Sequence, residues 1–433
     1  MLYHKENLRL LGRMFKNRRE GRDYSLRGVA RSVGVAHAMI SQIENCRLTP
    51  HEETIAQLFE AVGSPFYRDP QQLRKLRRVL DAFYEAIYQA SEDDVEMYFD
   101  ALRAEAAVFL RSPLRVSYLL ALETERIFSG RDFRLGILDE LEDYYDHLSA
   151  EQRQLFDLLK GWALYEQGRH QEALVYLERS CERPESKHYH ALSVSLKAKA
   201  LDQLDWSHQT LKTADTASKL HVELNNLPRK VEMNLLVLKK HIDLWNLETA
   251  EQHIQGLRQV FEGTQDLDHA LGRRFYLYRA YHAYAREDFQ EALAHLERIH
   301  DETPQLLFFK GYLSHQLGRV RDAIVFLESV SPAKKKRLKD DLYIAAAELF
   351  LWRLKQREPS AEASETLHRC IHQTKNIFLR IFMIGLLLAY YEYMEDFETA
   401  YQLLRKQYET DVENNFYAKR GSKKHLEAIM NNL

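Results

Sequence analysis

The sequence predicts an all-α protein: a small N-terminal helical domain followed by a long array of helix pairs. Three observations carry this. Glycine (16) and proline (9) are scarce in 433 residues, while the strong helix formers are abundant. Apolar residues recur at i, i+3, i+4 and i+7, the period of one helix face. Finally, stretches of the chain repeat one another, which lets a chain too long for one ordinary core stay folded.

The first helices are read from YSLRGVARSVG and GVAHAMISQIEN. Ser25 is placed to cap a helix whose stripe is Leu26, Val29, Ala30 and Val33. Gly34 ends it where a left-handed residue is wanted. The next helix, over 36–45, buries Ala36, Met39, Ile40 and Ile43 and turns His37, Ala38, Ser41, Gln42 and Asn45 the other way. Two short helices joined by a tight glycine turn, with small Ala30 where their backbones approach, form a helix-turn-helix pattern.

SLRGVARSVGVAHAMISQIEN followed by PHEETIAQLFEAVG resembles the repressor-like helix-turn-helix domains of the XRE family over about 60 residues. The resemblance implies a five-helix DNA-binding domain over 1–66, with the second helix of the motif in the major groove. His37, Ala38, Ser41 and Gln42 then reach the bases: Gln42 bonds an adenine edge, Ala38 meets a thymine methyl, and His37 or Ser41 reaches a base or a phosphate. Arg27, Arg31 and Arg47, with Arg9 and Arg13, are the phosphate-contact candidates. Leu26, Ala36 and Cys46 depart from the Gln, Ser or Thr, and Gly usual in that family.

Charge agrees with this division. The chain carries −3 overall, yet residues 1–50 hold ten Lys and Arg against four acids, a net +6. The remainder is therefore acidic, so only the head is expected to meet a polyanion.

The body, 67–433, repeats itself. GWALYEQGRHQEALVYLERS, RAYHAYAREDFQEALAHLERI, KGYLSHQLGRVRDAIVFLESV and LLAYYEYMEDFETAYQLLRKQ align without gaps, and weaker copies begin near 199 and 239. Anchoring on Ala173, Thr210, Ala250, Ala292, Ala323 and Ala400 gives spacings of 37, 40, 42, 31 and 77 residues, the last about two repeats. This is the pattern of tetratricopeptide-like helix pairs. Gly161 and Gly311 let the first helix of a pair meet its neighbour closely, Gly168 and Gly318 close the turn, and Ala173 and Ala323 seat the second helix. Stacked pairs are expected to form a right-handed solenoid with the first helices on its inner wall. Counting along those helices places Lys199, Gln203, Lys239, Arg274, Tyr278, Tyr281, Tyr312 and His315 on that wall. Mixed aromatic, amide and cationic groups suit an extended peptide, whose main chain needs partners once it leaves water; the competing reading is that the tyrosines fill gaps between repeats.

No phosphate-binding loop, dinucleotide glycine motif, HExxH or nucleophile–base pair is recognisable, so a non-enzyme is expected, without cofactor or metal. His188 and His190 lack further ligands at a metal spacing, and Lys334 to Arg337 read as a solvated loop or helix start. Three distant cysteines fit neither a disulfide framework nor a metal cluster and suggest a reducing cytoplasm. The charged N-terminus lacks a signal-peptide core, and the apolar run from Ile381 to Tyr391 is too short to span a bilayer.

A repressor-like head ahead of such an array resembles the RRNPP group of peptide-responsive regulators, its Rgg and PlcR types. That likeness implies a cytoplasmic, homodimeric transcription regulator of the quorum-sensing type, whose partners are a double-stranded DNA operator and a short signalling peptide held by the repeats. The alternatives are a protein-interaction scaffold, or a response-regulator-binding protein, with a vestigial DNA-binding head.

Overall fold

The computed structural model describes residues 5–413, except 65, 68, 131, 132, 134, 183, 264–268, 331–339, 357 and 372–376. The basic run at Lys334 to Arg337 lies outside the described residues. No strand occurs among those described. Two compact units divide the chain, residues 1–237 and 238–433.

The first unit opens with α1 (Lys5–Glu20), α2 (Leu26–Val33), α3 (His37–Glu44) and α4 (Glu52–Ala61). Ser25 caps α2 by accepting the Gly28 N–H, and Gly34 ends it at φ 74°, both as the sequence predicts. Leu8, Leu11, Phe15, Val29, Ile40, Ile43, Ile55, Leu58 and Val62 share one core. α1 comes close to the end of α3 at Gly12, where a Cβ would collide with the Ile43 carbonyl oxygen. Among its described residues the head has four helices rather than five. Gly63 stops α4 at φ 66°, and α5 (Pro70–Gln89) starts afresh on an Asp69 cap with proline in its first turn. Its stripe of Leu73, Leu76, Leu80 and Phe83 packs with residues of α6 (Glu92–Ala104), α7 (Ala106–Phe109) and α8 (Arg115–Phe128) instead of the head core.

After α9 (Gly136–Glu142) come the helix pairs: α10 (Ala150–Glu166) with α11 (His170–Glu182), α12 (Lys187–Gln203) with α13 (Ser207–Glu223), and α14 (Leu227–Asp243) with α15 (Leu247–Gly263). The second unit continues with α16 (His269–Ala285) and α17 (Phe289–Glu297), then α18 (Pro304–Gln316) and α19 (Val320–Glu328). The 77-residue gap holds the expected extra pair, α20 (Asp340–Lys355) and α21 (Ala361–Cys370), before α22 (Ile377–Tyr393) and α23 (Phe397–Glu413).

Each pair is built as its small residues require. A Cβ on Gly161 would overlap Leu177, and one on Gly311 would overlap Leu327, so these glycines set how closely the two helices of a pair approach. The anchors Ala173, Thr210, Ala250, Ala292 and Ala323 are fully buried.

The turns share one geometry. In α10–α11 the Gly168 N–H reaches the Tyr165 carbonyl and the Arg169 N–H the Leu164 carbonyl; Glu287 and Asp288, and Gly318 and Arg319, repeat it. This is a helix end closed by a left-handed residue. Glycine holds that conformation at 168 and 318, but Asp205, Trp245, Glu287 and Glu395 hold it elsewhere at φ 57 to 62°. A side chain there costs roughly 1–2 kcal/mol that glycine avoids, offset in part by glycine's greater entropy loss. Exposed Glu287 changed to Gly is therefore expected to stabilise the protein by about 0.5–1 kcal/mol. Urea unfolding checks this, and a lower midpoint would show that Glu287 is unstrained.

A buried polar junction pins α5 to the repeats within the first unit. Arg229 donates to the carbonyls of Tyr88 (2.6 Å) and Ile87 (2.8 Å), and Asn226 donates to Tyr88 as well (2.8 Å). These satisfy the carbonyls left over at the end of α5. The Tyr88 hydroxyl pairs with His221 Nδ1 at 3.0 Å, and Ser195 Oγ with His221 Nε2 at 2.7 Å.

Candidate nucleic-acid interface and repeat surfaces

From Met39 onward the two faces of α3 divide as the sequence predicts, but Ala36, expected on the buried side, is the N-cap and is exposed. Ile40 and Ile43 are buried, while His37, Ala38 and Gln42 are exposed and Ser41 is half-buried. Asn45 bonds back to the Ser41 carbonyl at 2.8 Å and so belongs to the helix end. Arg27, Arg31 and Arg47 are all exposed around it. Arg9 is exposed but donates from Nε to Thr49 Oγ1 at 2.5 Å, which commits part of its guanidinium.

What holds α3 in place is less visible in the sequence. Arg19 on α1 donates to both carboxylate oxygens of Glu44, Nε to Oε1 at 2.5 Å and a terminal nitrogen to Oε2 at 3.0 Å, and its other nitrogen reaches the Tyr24 carbonyl at 2.9 Å. Both side chains are buried. A forked, bidentate pair fixes orientation as well as distance. By net charge these two residues are one more cation and one more acid; the available signal was that Glu44 is the sole acid on α3.

Cys46, which stands where the resembled family favours glycine, takes glycine's conformation at φ 58°. Its thiol is buried and donates to the Arg9 carbonyl at 3.4 Å. Burial pushes the thiol up from its ordinary range against the pull of Arg13 and Arg9, so it stays protonated and unreactive at neutral pH.

The eight wall residues fall in different surroundings. In the first unit Lys199 pairs with Glu232 at 2.8 Å, and Gln203 is half-buried at the end of α12. In the second, Lys239 pairs with Asp243 at 3.0 Å, Arg274 is exposed, and Tyr278 is half-buried. Tyr281 and Tyr312 are buried. The Tyr281 hydroxyl accepts from Gln305 Nε2 at 3.0 Å, and Tyr312 shares a hydrogen bond with Tyr284 at 2.8 Å. The Tyr312 ring lies 4.3 Å from that of Phe382, so these two tyrosines act as packing residues here. His315 meets Phe350 edge-on at 5.2 Å; burial, then Arg353, push its basicity down. Phe382 and Phe350, 4.9 Å apart, extend this aromatic layer and were not singled out by counting along the repeats.

Among the described residues no group of His, Cys, Asp and Glu is arranged to hold a metal, and none of their helices is long and apolar enough to cross a membrane. His188 instead stacks on Tyr88, centroids 4.3 Å apart, with Nδ1 3.3 Å from Glu85.

Residues 10–65 match the family described as a helix-turn-helix domain. No curated protein matches the chain. Among solved structures, the apo form of the quorum sensor NprR from B. thuringiensis is similar at TM-score 0.60 and 14% identity, over 78% of this chain and 98% of that one. NprR in complex with its cognate peptide NprX is similar at 0.58 and 16%, over 80% and 100%. A Rap protein complexed with Competence and Sporulation Factor gives 0.59 and 15%, over 80% and 99%. At such identities the likeness establishes the fold: a tetratricopeptide-like helical solenoid behind a helix-turn-helix domain.

Proposed function

We propose that the chain is a cytoplasmic transcription regulator of the quorum-sensing type, not an enzyme. Residues 1–66 bind an operator, and residues 67–433 dimerise and hold a short signalling peptide that shifts operator affinity. The observation that carries the reading is the exposed edge of α3, with His37, Ala38 and Gln42 turned outward amid exposed arginines. A vestigial head would have no need to keep such an edge open. The peptide half draws support from the fold shared with NprR, solved with its cognate peptide, and from the exposure of Arg274 on α16. A palindromic operator asks for two heads about 34 Å apart, hence a two-fold dimer. The peptide acts by preferring one of two conformers, and its differential affinity sets how far DNA binding moves.

The Rap-like alternative shares the fold almost equally, so DNA binding discriminates. In a fluorescence titration of the full chain against promoter DNA, Gln42→Ala is expected to cost roughly 1–3 kcal/mol at the cognate site and relax preference at one base pair. Arg31→Ala is expected to weaken all sequences alike and lower the salt slope by about one. Arg274→Ala is expected to remove the effect of added candidate peptides while leaving DNA affinity intact. Equal affinity of the unaltered chain for promoter and unrelated DNA would favour the response-regulator-binding reading.

A further inference from the structure

Positive charge returns after the head ends. Residues 51–66 hold three acids and no lysine or arginine, and residues 81–109 hold eight acids against one cation, yet residues 70–80 between them hold four cations and no acid. This island is the first half of α5. Arg74, Lys75 and Arg78 are exposed and share the face opposite Leu73, Leu76 and Leu80, which are buried. Further along that face the exposed residues are Asp81 and Glu85, so the cationic stretch ends there.

The cations of α5 are of two kinds. Arg77 is committed within the chain, to Asp81 at 2.9 Å and to Glu151 at 3.7 Å. Arg74, Lys75 and Arg78 make no side-chain hydrogen bond or ion pair among the described residues. Arg74 and Arg78 are four residues apart and Lys75 and Arg78 three, so like charges are neighbours on one face, which disfavours a helix. A merely solvated face gains nothing from that arrangement. A polyanion laid on it replaces the repulsion by attraction.

The position of this face relative to α3 is set by packing. Leu10 of α1 is buried in the core that also holds Val116, Leu138, Leu141 and Leu148, and the Tyr67 N–H donates to the Arg111 carbonyl at 2.8 Å just before α5 begins. The eight residues 62–69 between α4 and α5 reach at most about 29 Å, less than the roughly 34 Å of one duplex turn. A duplex held by α3 and continuing past its half-site therefore runs within reach of α5.

We propose that Arg74, Lys75 and Arg78 of α5 form a second DNA contact, to the phosphate backbone of the duplex flanking the site read by α3. Such contacts carry no base information; they add affinity and salt dependence and fix the angle of the duplex against the body. The proposal rests on the DNA-binding reading above and extends the DNA surface beyond residue 66.

Fluorescence anisotropy of the full chain from about 50 to 200 mM salt tests it. The probes are a duplex of about 40 base pairs from upstream of its own gene, an unrelated duplex of that length, and a duplex of about 12 base pairs that spans little more than one turn. Arg74→Gln, Lys75→Gln and Arg78→Gln combined are expected to lower the salt slope on both long duplexes by about 2.7, at about 0.9 per lost contact; over that salt range the unaltered chain then loses about 40-fold more affinity than the variant. Each single change is expected to lower the slope by about 0.9. On the short duplex the variants and the unaltered chain are expected to bind alike. Lys219→Gln, at an exposed cation on α13, is expected to leave every slope unchanged. Slopes unmoved by the α5 changes, or lowered as much on the short duplex or by Lys219→Gln per charge removed, overturn the second contact and leave the α3 reading intact. An unaltered chain that binds neither long duplex at low salt overturns both.

Discussion

Glu44→Ala is expected to unfold the head while the repeats stay folded. Arg19 and Glu44 are both buried, and the pair is bidentate. Removing one partner leaves the other charge without compensation in a low-dielectric site, a loss of about 3–5 kcal/mol in such cases. A head of about 60 residues has little more stability than that to lose. DNA binding should therefore vanish, although Glu44 lies on the buried side of α3 and is not among the base-reading residues. Replacing both partners by apolar residues of similar volume should recover most of the loss, because the cost lies in the stranded charge and not in the absence of a bridge. Hydrogen exchange of the α3 amides, read beside the melting of the repeats, separates the two parts. Wild-type protection of α3 in Glu44→Ala would show that the apolar core alone positions the helix.

That prediction also marks where sequence reading stops. The helix faces, the Ser25 cap, the Gly34 turn and the close-packed Gly161 and Gly311 were legible because each depends on local spacing and on a residue with few alternatives. The Arg19–Glu44 pair was not: it joins residues 25 apart in sequence, and nothing in the spacing separates it from the solvated charges around it. Gly12 was missed for a related reason. Its need for no side chain comes from the Ile43 carbonyl on another helix, while its place within α1 reads as an ordinary weak helix position. The fourth and fifth head helices were both read from PHEETIAQLFEAVG by likeness to the resembled family, but that stretch holds α4 alone, and the next helix restarts at the Asp69 cap and Pro70. In the repeats, period and anchors locate the helices, but counting along a face does not tell a wall tyrosine from one between layers. Tyr281 and Arg274 are two turns apart on α16, and one is buried while the other is exposed. The difference is made by what stands opposite: Phe309 and Gln305 close over Tyr281.

Asp157→Asn is expected to raise the stability of the first unit by roughly 1–2 kcal/mol at neutral pH and to lower it by a similar amount near pH 4, where the carboxyl is already protonated and only the amide's unmet hydrogen bond is felt. Asp157 lies on α10, buried, with one oxygen accepting from the Tyr145 hydroxyl at 2.6 Å and the other, Oδ1, without a hydrogen-bond partner. Burial pushes its carboxyl up to about 6, against the pull of that hydrogen bond and of Arg179 and Arg153. The unfolded carboxyl ionises near 3.9, so between about 4 and 6 the native state holds the extra proton and stability falls as pH rises. His221 acts in the opposite sense. Fully buried between Tyr88 and Ser195, it is pushed down to about 4 by burial and then by Arg229. The unfolded imidazole keeps its proton up to about 6.5, so across the same window the unfolded state binds more protons and stability rises with pH. Each contribution is on the order of 3 kcal/mol, about two pKa units, and because the signs differ the unaltered chain should show little net slope from these two groups. The asparagine removes the falling one alone. Its buried amide gives back part of the gain through an unmet hydrogen bond, leaving roughly 1–2 kcal/mol at pH 7 and a steep rise from pH 4 to 6.5 that belongs to His221. For a unit of this size that is a melting-temperature gain of several degrees at pH 7. Melting of both proteins across that range decides it: a difference equally large at pH 4.5 and pH 7 would mean that Asp157 acts through packing, with its charge irrelevant.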